Sequence, residues 1–432
     1  MNEIGSNEIR SMFVGLDSQV TIQGGHKVVP INFDNAATTP VLKVVFDKIK
    51  QVSEYYGSIG RGLGQKSEMS TKMYEYCREY VLDFFNANKD KYTAVFVNNT
   101  TDGINKLSSI LITDKTDIVI TTRMEHHSND LPWRHKSNVI YVEVDMYGRL
   151  NFDEIEELLR KYRGRVKYLT ITAASNVTGY INDIHKIATI VHKYGAKIVV
   201  DGAQIVAHKK VSINGVNPDE DIDYFVFSGH KMYAPFGGGA IIGLKSELRR
   251  LSPALYGGGM VDIVGDYYET LLDLPEKDEA GSPNFFGAVA LVESMRVLSE
   301  VGYDYIENHE KKIMTKTIKR LSEIEDVILY ADCDSINDRV GIVVFNIRGV
   351  DNHDVALALA QFRGIAVRQG GFCAHPYIAR LMNVSDDEIL EGMKNKDFKM
   401  PGMVRISFGI YNTEEEVDIL INILKWIINE FK

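Results

Sequence analysis

Between residues 92 and 243, seven short β-rich apolar runs alternate with stretches that keep helical spacing: YTAVFVNN, DIVITT, VIYVEVD, KYLTITAAS, KIVVDGAQ, DYFVFSGH and GGAIIG. That alternation predicts a mostly parallel sheet wrapped by helices, an α/β architecture. Among the helical stretches, residues 182–194 carry Ile184, Ile187, Ala188 and Val191 on one face, and Gly195 supplies a stop. Residues 67–85 place Met69, Met73, Tyr76, Tyr80, Val81 and Phe84 at the same spacing, which predicts core or lobe-packing positions, with Cys77 as a small buried thiol. Past Gly287 the chain changes character. A long helix is expected over residues 288–301, short strands such as RVGIVVFNI follow, and a last helix opens on Thr413 and Glu416 in capping-box register. Its apolar stripe is Val417, Leu420, Ile421, Leu424, Ile427, Ile428 and Phe431. The polar stretch LPEKDEAGSPN, residues 274–284, is the sharpest break. The expected division is a large domain over 30–287 and a smaller α+β domain made of 1–29 with 288–432.

In open α/β sheets ligands gather beyond the carboxyl ends of the strands. The unusual polar residues fall at such ends: 99–102, 125–127, Asn176, Asp201 and Ser228. Lys231, in SGHK, follows Asp201, in DGAQ, by 30 positions. A lysine amine condenses with an aldehyde as a Schiff base, and a carboxylate keeps a pyridine nitrogen protonated, so the pair points to pyridoxal phosphate and to carbanion chemistry on an amino acid. Thr100 and Thr101 precede the helical stretch DGINKLSSIL and are placed either to receive a phosphate or simply to cap a helix. His126 has an imidazole face that can stack on a pyridine ring. The formal charge of -10, with Lys and Arg scattered, gives no basic stripe for nucleic acid or an anionic membrane. Small molecules and other proteins are therefore the expected partners. No apolar run reaches the ~18 residues of a membrane span, and MNEIGSNEIR has no secretory pattern, so a cytoplasmic protein is expected. Three widely spaced cysteines argue against a disulfide framework or a metal cluster.

From NFDNAATTP at 32–40 to RISFGIYNTEEEVD at 405–418, the chain resembles the class V aminotransferases of pyridoxal-phosphate fold type I, and among them the cysteine desulfurases and selenocysteine lyases. The resemblance implies a large domain with a mostly parallel seven-stranded sheet between helices, plus a smaller α+β domain. It implies that Lys231 forms the Schiff base and moves the α-proton, that Asp201 holds the pyridine nitrogen, and that Gln204 and Asn176 meet the ring 3-oxygen. His126 would stack on the ring as a catalytic residue, with Thr100, Thr101, Ser228 and His230 around the phosphate. Ser282, in AGSPN, would reach the phosphate from the partner subunit of a homodimer. Arg405 matches the residue that grips the substrate carboxylate, with Arg368, Arg61, Asn35 and Asn176 also on the substrate side. Cys373, in RQGGFCAHP, aligns with a nucleophile on a mobile loop that takes sulfur from L-cysteine, leaving alanine and an enzyme persulfide for a sulfur-acceptor protein. Two features depart from the pattern. Gly371, Phe372 and Gly60 stand where histidines are usual, and the 32 positions from Cys373 to Arg405 include an apparent insertion over 376–400. The alternatives are another class V enzyme, whether aminotransferase, epimerase or β-lyase, with Cys373 incidental, or a silent binding partner. The silent form requires loss of the lysine or the acid, and both are present.

Overall fold

All seven apolar runs form strands of one sheet in the computed structural model, which describes residues 6–60, 62–236, 238–396 and 398–431. They are β1 (Tyr92–Val97), β2 (Ile118–Thr122), β3 (Asn138–Val142), β4 (Val166–Thr172), β5 (Lys197–Asp201), β6 (Tyr224–Ser228) and β7 (Gly239–Leu244). Their spatial order is β1-β7-β6-β5-β4-β2-β3. The pairs from β6 through to β3 are parallel, while β7 runs antiparallel to both β6 and β1. Every residue of β1, β2, β6 and β7 is buried, which is why these strands read as continuous apolar runs rather than alternating ones.

The helix Thr100–Leu111 lies close on this sheet because Gly103 has no side chain. A Cβ there would meet Val226 Cγ1 at 2.5 Å. The close approach brings the start of the helix to the end of β6. Further along, the helix Ile184–Lys193 begins at Asp183 and buries the four apolar residues expected of it.

A second sheet of four antiparallel strands contains β8 (Val327–Leu329), β9 (Ile342–Ile347), β10 (Arg368–Gly370) and β11 (Met403–Ser407), in the order β8-β9-β11-β10. The last helix, Glu414–Phe431, covers it. Val417, Leu420, Ile421, Leu424, Ile427 and Ile428 pack in one cluster with Phe345, Val404 and Ile406. The capping box closes in both directions. Glu416 N–H donates to Thr413 Oγ1 at 3.3 Å, and Thr413 N–H donates to Glu416 Oε2 at 3.1 Å. Phe431, expected in the stripe, is 47% exposed at the end of the helix.

The helix Gln65–Phe84 is turned from its expected face. It buries Ser67, Ser70, Tyr74, Cys77, Arg78, Val81 and Leu82, and leaves Met69 48% and Tyr76 55% exposed. The cause is polar. Arg78 lies inside because Glu279 takes its guanidinium at 2.8 Å and the Ala94 carbonyl accepts a further hydrogen bond, while Ser70 Oγ accepts from Gly57 N–H at 2.9 Å. The segment after Cys373 folds as two short helices, His375–Leu381 and Asp386–Gly392. Among the described residues no helix is long and apolar enough to cross a membrane.

Candidate active site

The carboxyl ends of β1, β2, β4, β5 and β6 face β10, β11 and the segment at 36–37 across a cavity of about 540 Å³, a size suited to a cofactor with a small substrate. Lys231 enters it from a single turn after β6, Gly229–Lys231. Its amine has no hydrogen bond or ion pair with any described residue, and burial lowers its pKa to about 8, with Asp201 opposing. Asp201 ends β5. One carboxylate oxygen accepts from Ala203 N–H at 2.9 Å, and burial raises its pKa. Gln204 donates through Nε2 to the Ala36 carbonyl at 2.8 Å, and its Oε1 is buried without a partner. A buried orphan of this kind calls for a ligand group. An unclaimed amine, an acid and an unpaired amide around one cavity fit pyridoxal phosphate.

At one end of the cavity the helix Thr100–Leu111 is capped by Asn99, whose Oδ1 accepts from Asp102 N–H at 2.9 Å. Capping is therefore not the work of Thr100 or Thr101. Thr100 N–H donates to Ser228 Oγ at 2.7 Å, and the two hydroxyls also meet at 2.7 Å. Thr101 shares a hydrogen bond with Ser128, whose backbone N–H donates to His126 Nδ1 at 3.1 Å. His126 thus keeps Nδ1 unprotonated, and burial lowers its pKa to about 3. His230 is lowered to about 4, again mainly by burial. Thr101, Ser228 and His230 all line the cavity.

Behind His126, Glu125 is buried and accepts from Thr122 Oγ1 and Asn129 Nδ2, both at 2.6 Å. Burial pushes its pKa up to about 8, so it keeps its proton at neutral pH. Because the folded value lies above that of the unfolded chain, stability falls as pH rises from about 4.5 towards 8. Glu125→Gln keeps a neutral acceptor and donor, and is expected to fold normally and to flatten that decline. Glu125→Ala strands Asn129 and is expected to cost about 1–3 kcal/mol. Melting temperatures of the three proteins from pH 5 to 9 check both expectations.

On the opposite wall Arg368 and Arg405 stand directly across from each other on antiparallel β10 and β11, an arrangement unfavourable for like charges. Asp34 lies between them, 3.1 Å from Arg368 and 3.2 Å from Arg405. Arg405 is 2% exposed. It also donates to the Asn176 carbonyl at 2.8 Å and lies over the Phe372 ring at 5.0 Å. Its Nε has no partner, and burial lowers its pKa to about 10 against the pull of Asp34.

Cys373 is exposed and lines the cavity. It sits in a tight turn, with Phe372 at φ +48° and Cys373 at φ +54°, and both carbonyls accept hydrogen bonds. Asn176 Nδ2 donates to Phe372 O at 2.8 Å, and His127 N–H donates to Cys373 O at 2.6 Å.

One of the sequence-based candidates lies elsewhere. Asn35 sits behind the wall, its amide committed to Asn32, Ser407, Asn412 and Tyr411. Ser282 is exposed and does not line the cavity of its own chain. Arg61 lies outside the described residues. Sequence reasoning missed Asp34, Ser128 and His375 as cavity or wall-holding residues. Asp34 stands within NFDNAATTP and His375 two places after Cys373, so both were adjacent to recognised signals.

The description of class-V aminotransferases matches the chain over residues 31–420. A protein of Halalkalibacterium halodurans named a probable cysteine desulfurase is 33% identical over 426 residues, covering 96% of each chain. One of the same name from Staphylococcus aureus is 34% identical over 431 residues, covering 97% of this chain and 96% of its own. Among solved structures, the apo cysteine desulfurase of Thermococcus onnurineus superposes with a TM-score of 0.82 at 30% identity, covering 93% of this chain and 95% of that one. The cysteine desulfurase CsdA of Escherichia coli, in an S-sulfonic acid form, gives 0.82 at 27% identity and 99% of both chains.

Proposed function

This chain belongs to the class-V aminotransferase family, and from that premise we propose that it is a pyridoxal-phosphate-dependent cysteine desulfurase, removing sulfur from L-cysteine to give alanine and a persulfide on its own thiol. The observation that carries this reading is the exposed Cys373 in the wall of the cavity that also holds Lys231 and Arg405. Lys231 would tether the cofactor, Asp201 would face its pyridine nitrogen, Gln204 and Asn176 its 3-oxygen, and His126 its ring face. Thr100, Thr101, Ser228 and His230 would receive the phosphate, with Ser282 added from the partner subunit of a homodimer. When bound, pyridoxal phosphate supplies an electron sink that labilises bonds at the α-carbon of an amino acid.

The remaining chemistry belongs to the chain. Arg405, with Arg368 beside it, binds the substrate carboxylate and fixes the amino acid against the Cys373 wall. Lys231 is poised near pH 8, where an amine exchanges protons readily, and serves as the base for the α-proton. The thiolate of Cys373 attacks the substrate sulfur. A sulfur–sulfur bond forms, the carbon–sulfur pair stays with carbon, and carbon takes a proton to give alanine. The persulfide then awaits an acceptor protein, in a cytoplasmic setting where thiols stay reduced.

The test follows alanine and sulfur released from L-cysteine by the cofactor-loaded protein and by Cys373→Ala. The variant is expected to lose about a hundredfold or more, as when a single catalytic contact worth ~2.7 kcal/mol is removed. Equal turnover would remove Cys373 from the mechanism.

A further inference from the structure

The turn that presents Cys373 leaves a space at Gly371, and His375 fills it. A Cβ built on Gly371 would lie 2.7 Å from His375 Nε2 and closer still to Cδ2. The imidazole has therefore folded back over its own turn, and it lines the cavity together with Cys373. It is held there from outside the turn. The His375 backbone N–H donates to His127 Nε2 at 3.2 Å, and the two rings meet edge to face at 4.7 Å. Neither ring nitrogen of His375 has a hydrogen-bond partner among the described residues. The neighbouring imidazoles are not free in the same way. His127 has Nε2 engaged by that amide, and His126 has Nδ1 engaged by Ser128 N–H. One imidazole with nitrogens unclaimed among the described residues thus lines the same cavity as the thiol, two places along the chain from it.

We propose that His375 is the proton acceptor of Cys373, using the room that Gly371 leaves open, and that His127 is the residue that positions it. The proton passes from Sγ to a ring nitrogen and the electron pair stays on sulfur, giving a thiolate beside an imidazolium with no change of oxidation state. The inference rests on the desulfurase reading only for its purpose, since the proton transfer is a property of the free site. Among the described residues, the charged and titratable groups that share the cavity with the pair are His126 from the β2 end, Asp201 from β5, His230 and Lys231 from the β6 end, and Arg368 and Arg405 from the second sheet, and His127 meets the His375 ring. Asp130 and Arg134 stand behind His127, and Arg380, on the helix of His375, is paired with Glu143 and Asp386. Lys231, Arg368 and Arg405 all survive the substitutions below.

The experiment measures iodoacetamide alkylation of Cys373 in the cofactor-loaded protein from pH 5.5 to 9.5, by mass spectrometry of its peptide. That peptide separates it from Cys77 and Cys333. His375→Asn removes the base and keeps a planar side chain. Gly371→Ala keeps both residues and pushes the ring out of its place. Each is expected to move the alkylation profile about one pH unit upward, roughly tenfold slower at pH 7. His127→Asn, which loses only the support, is expected to give a smaller shift in the same direction. Unchanged profiles in both His375→Asn and Gly371→Ala would overturn the proposal, whatever the effect on turnover. An active Cys373→Ala enzyme would overturn the desulfurase reading and leave the alkylation result standing, so the two failures are distinguishable.

Discussion

Lys231→Ala is expected to abolish alanine release from L-cysteine, by about 10⁴-fold or more in kcat/KM, without lowering the stability of the cofactor-free protein. Both halves of this expectation come from one environment. The amine makes no hydrogen bond or ion pair with a described residue, and burial lowers its pKa to about 8, so the folded chain gains nothing from its charge. Removing it deletes a half-buried group that forms no hydrogen bond or ion pair with a described residue. Because it is the sole amine among the described cavity-lining side chains, its loss would take away both the proposed covalent tether and the proposed base. Borohydride reduction followed by peptide mass should find the cofactor fixed at position 231 in the wild type and nowhere in the variant. Persistent turnover, or a large drop in melting temperature, would contradict this account.

Arg405→Ala is expected to lower kcat/KM for cysteine by about 10²- to 10³-fold, carried mostly by KM, and also to destabilise the fold. A buried arginine recognising a carboxylate loses ~2–5 kcal/mol when truncated, part of it from the groups left without a partner. Here those groups are the Asn176 carbonyl and one oxygen of Asp34, which would still keep Arg368. Arg405→Lys restores the charge but not the planar fork and should recover only part of the loss. Initial-rate kinetics with melting curves on both variants separate the binding effect from the structural one. An unchanged KM in Arg405→Ala would assign the substrate carboxylate to another group.

What was legible in the sequence was whatever local pattern dictates. The seven strands stand out because a strand covered on both faces must be apolar throughout, and the last helix because its stripe and capping box lie within one short segment. Lys231, Asp201, Gln204, His126 and Cys373 do share a cavity. What stayed hidden depends on partners far along the chain. Arg78 turns its helix because Glu279, 201 positions away, neutralises it. Asn35 reads as a polar candidate in a motif, yet residues near 407–412 consume its amide. The tie between the two arginines is supplied by Asp34, 371 positions from Arg405. No periodicity encodes such pairings. His375 is a different kind of miss, since only the vacancy at Gly371 reveals where its ring goes.

Strand β7 has a consequence for biosynthesis. Thr100 and Ser228, in hydrogen-bond contact though 128 positions apart, sit at the tips of β1 and β6, which are not neighbours in the sheet. Besides the close helix approach at Gly103, β7 holds the two strands in place, pairing Gly239 with both Val97 and Ser228. A nascent chain extended to residue 238 already carries every one of its own residues assigned to the phosphate except Ser282, but lacks the wedge that seats them together. The arrangement proposed to receive the phosphate therefore depends on closure of the sheet by its last-synthesised strand.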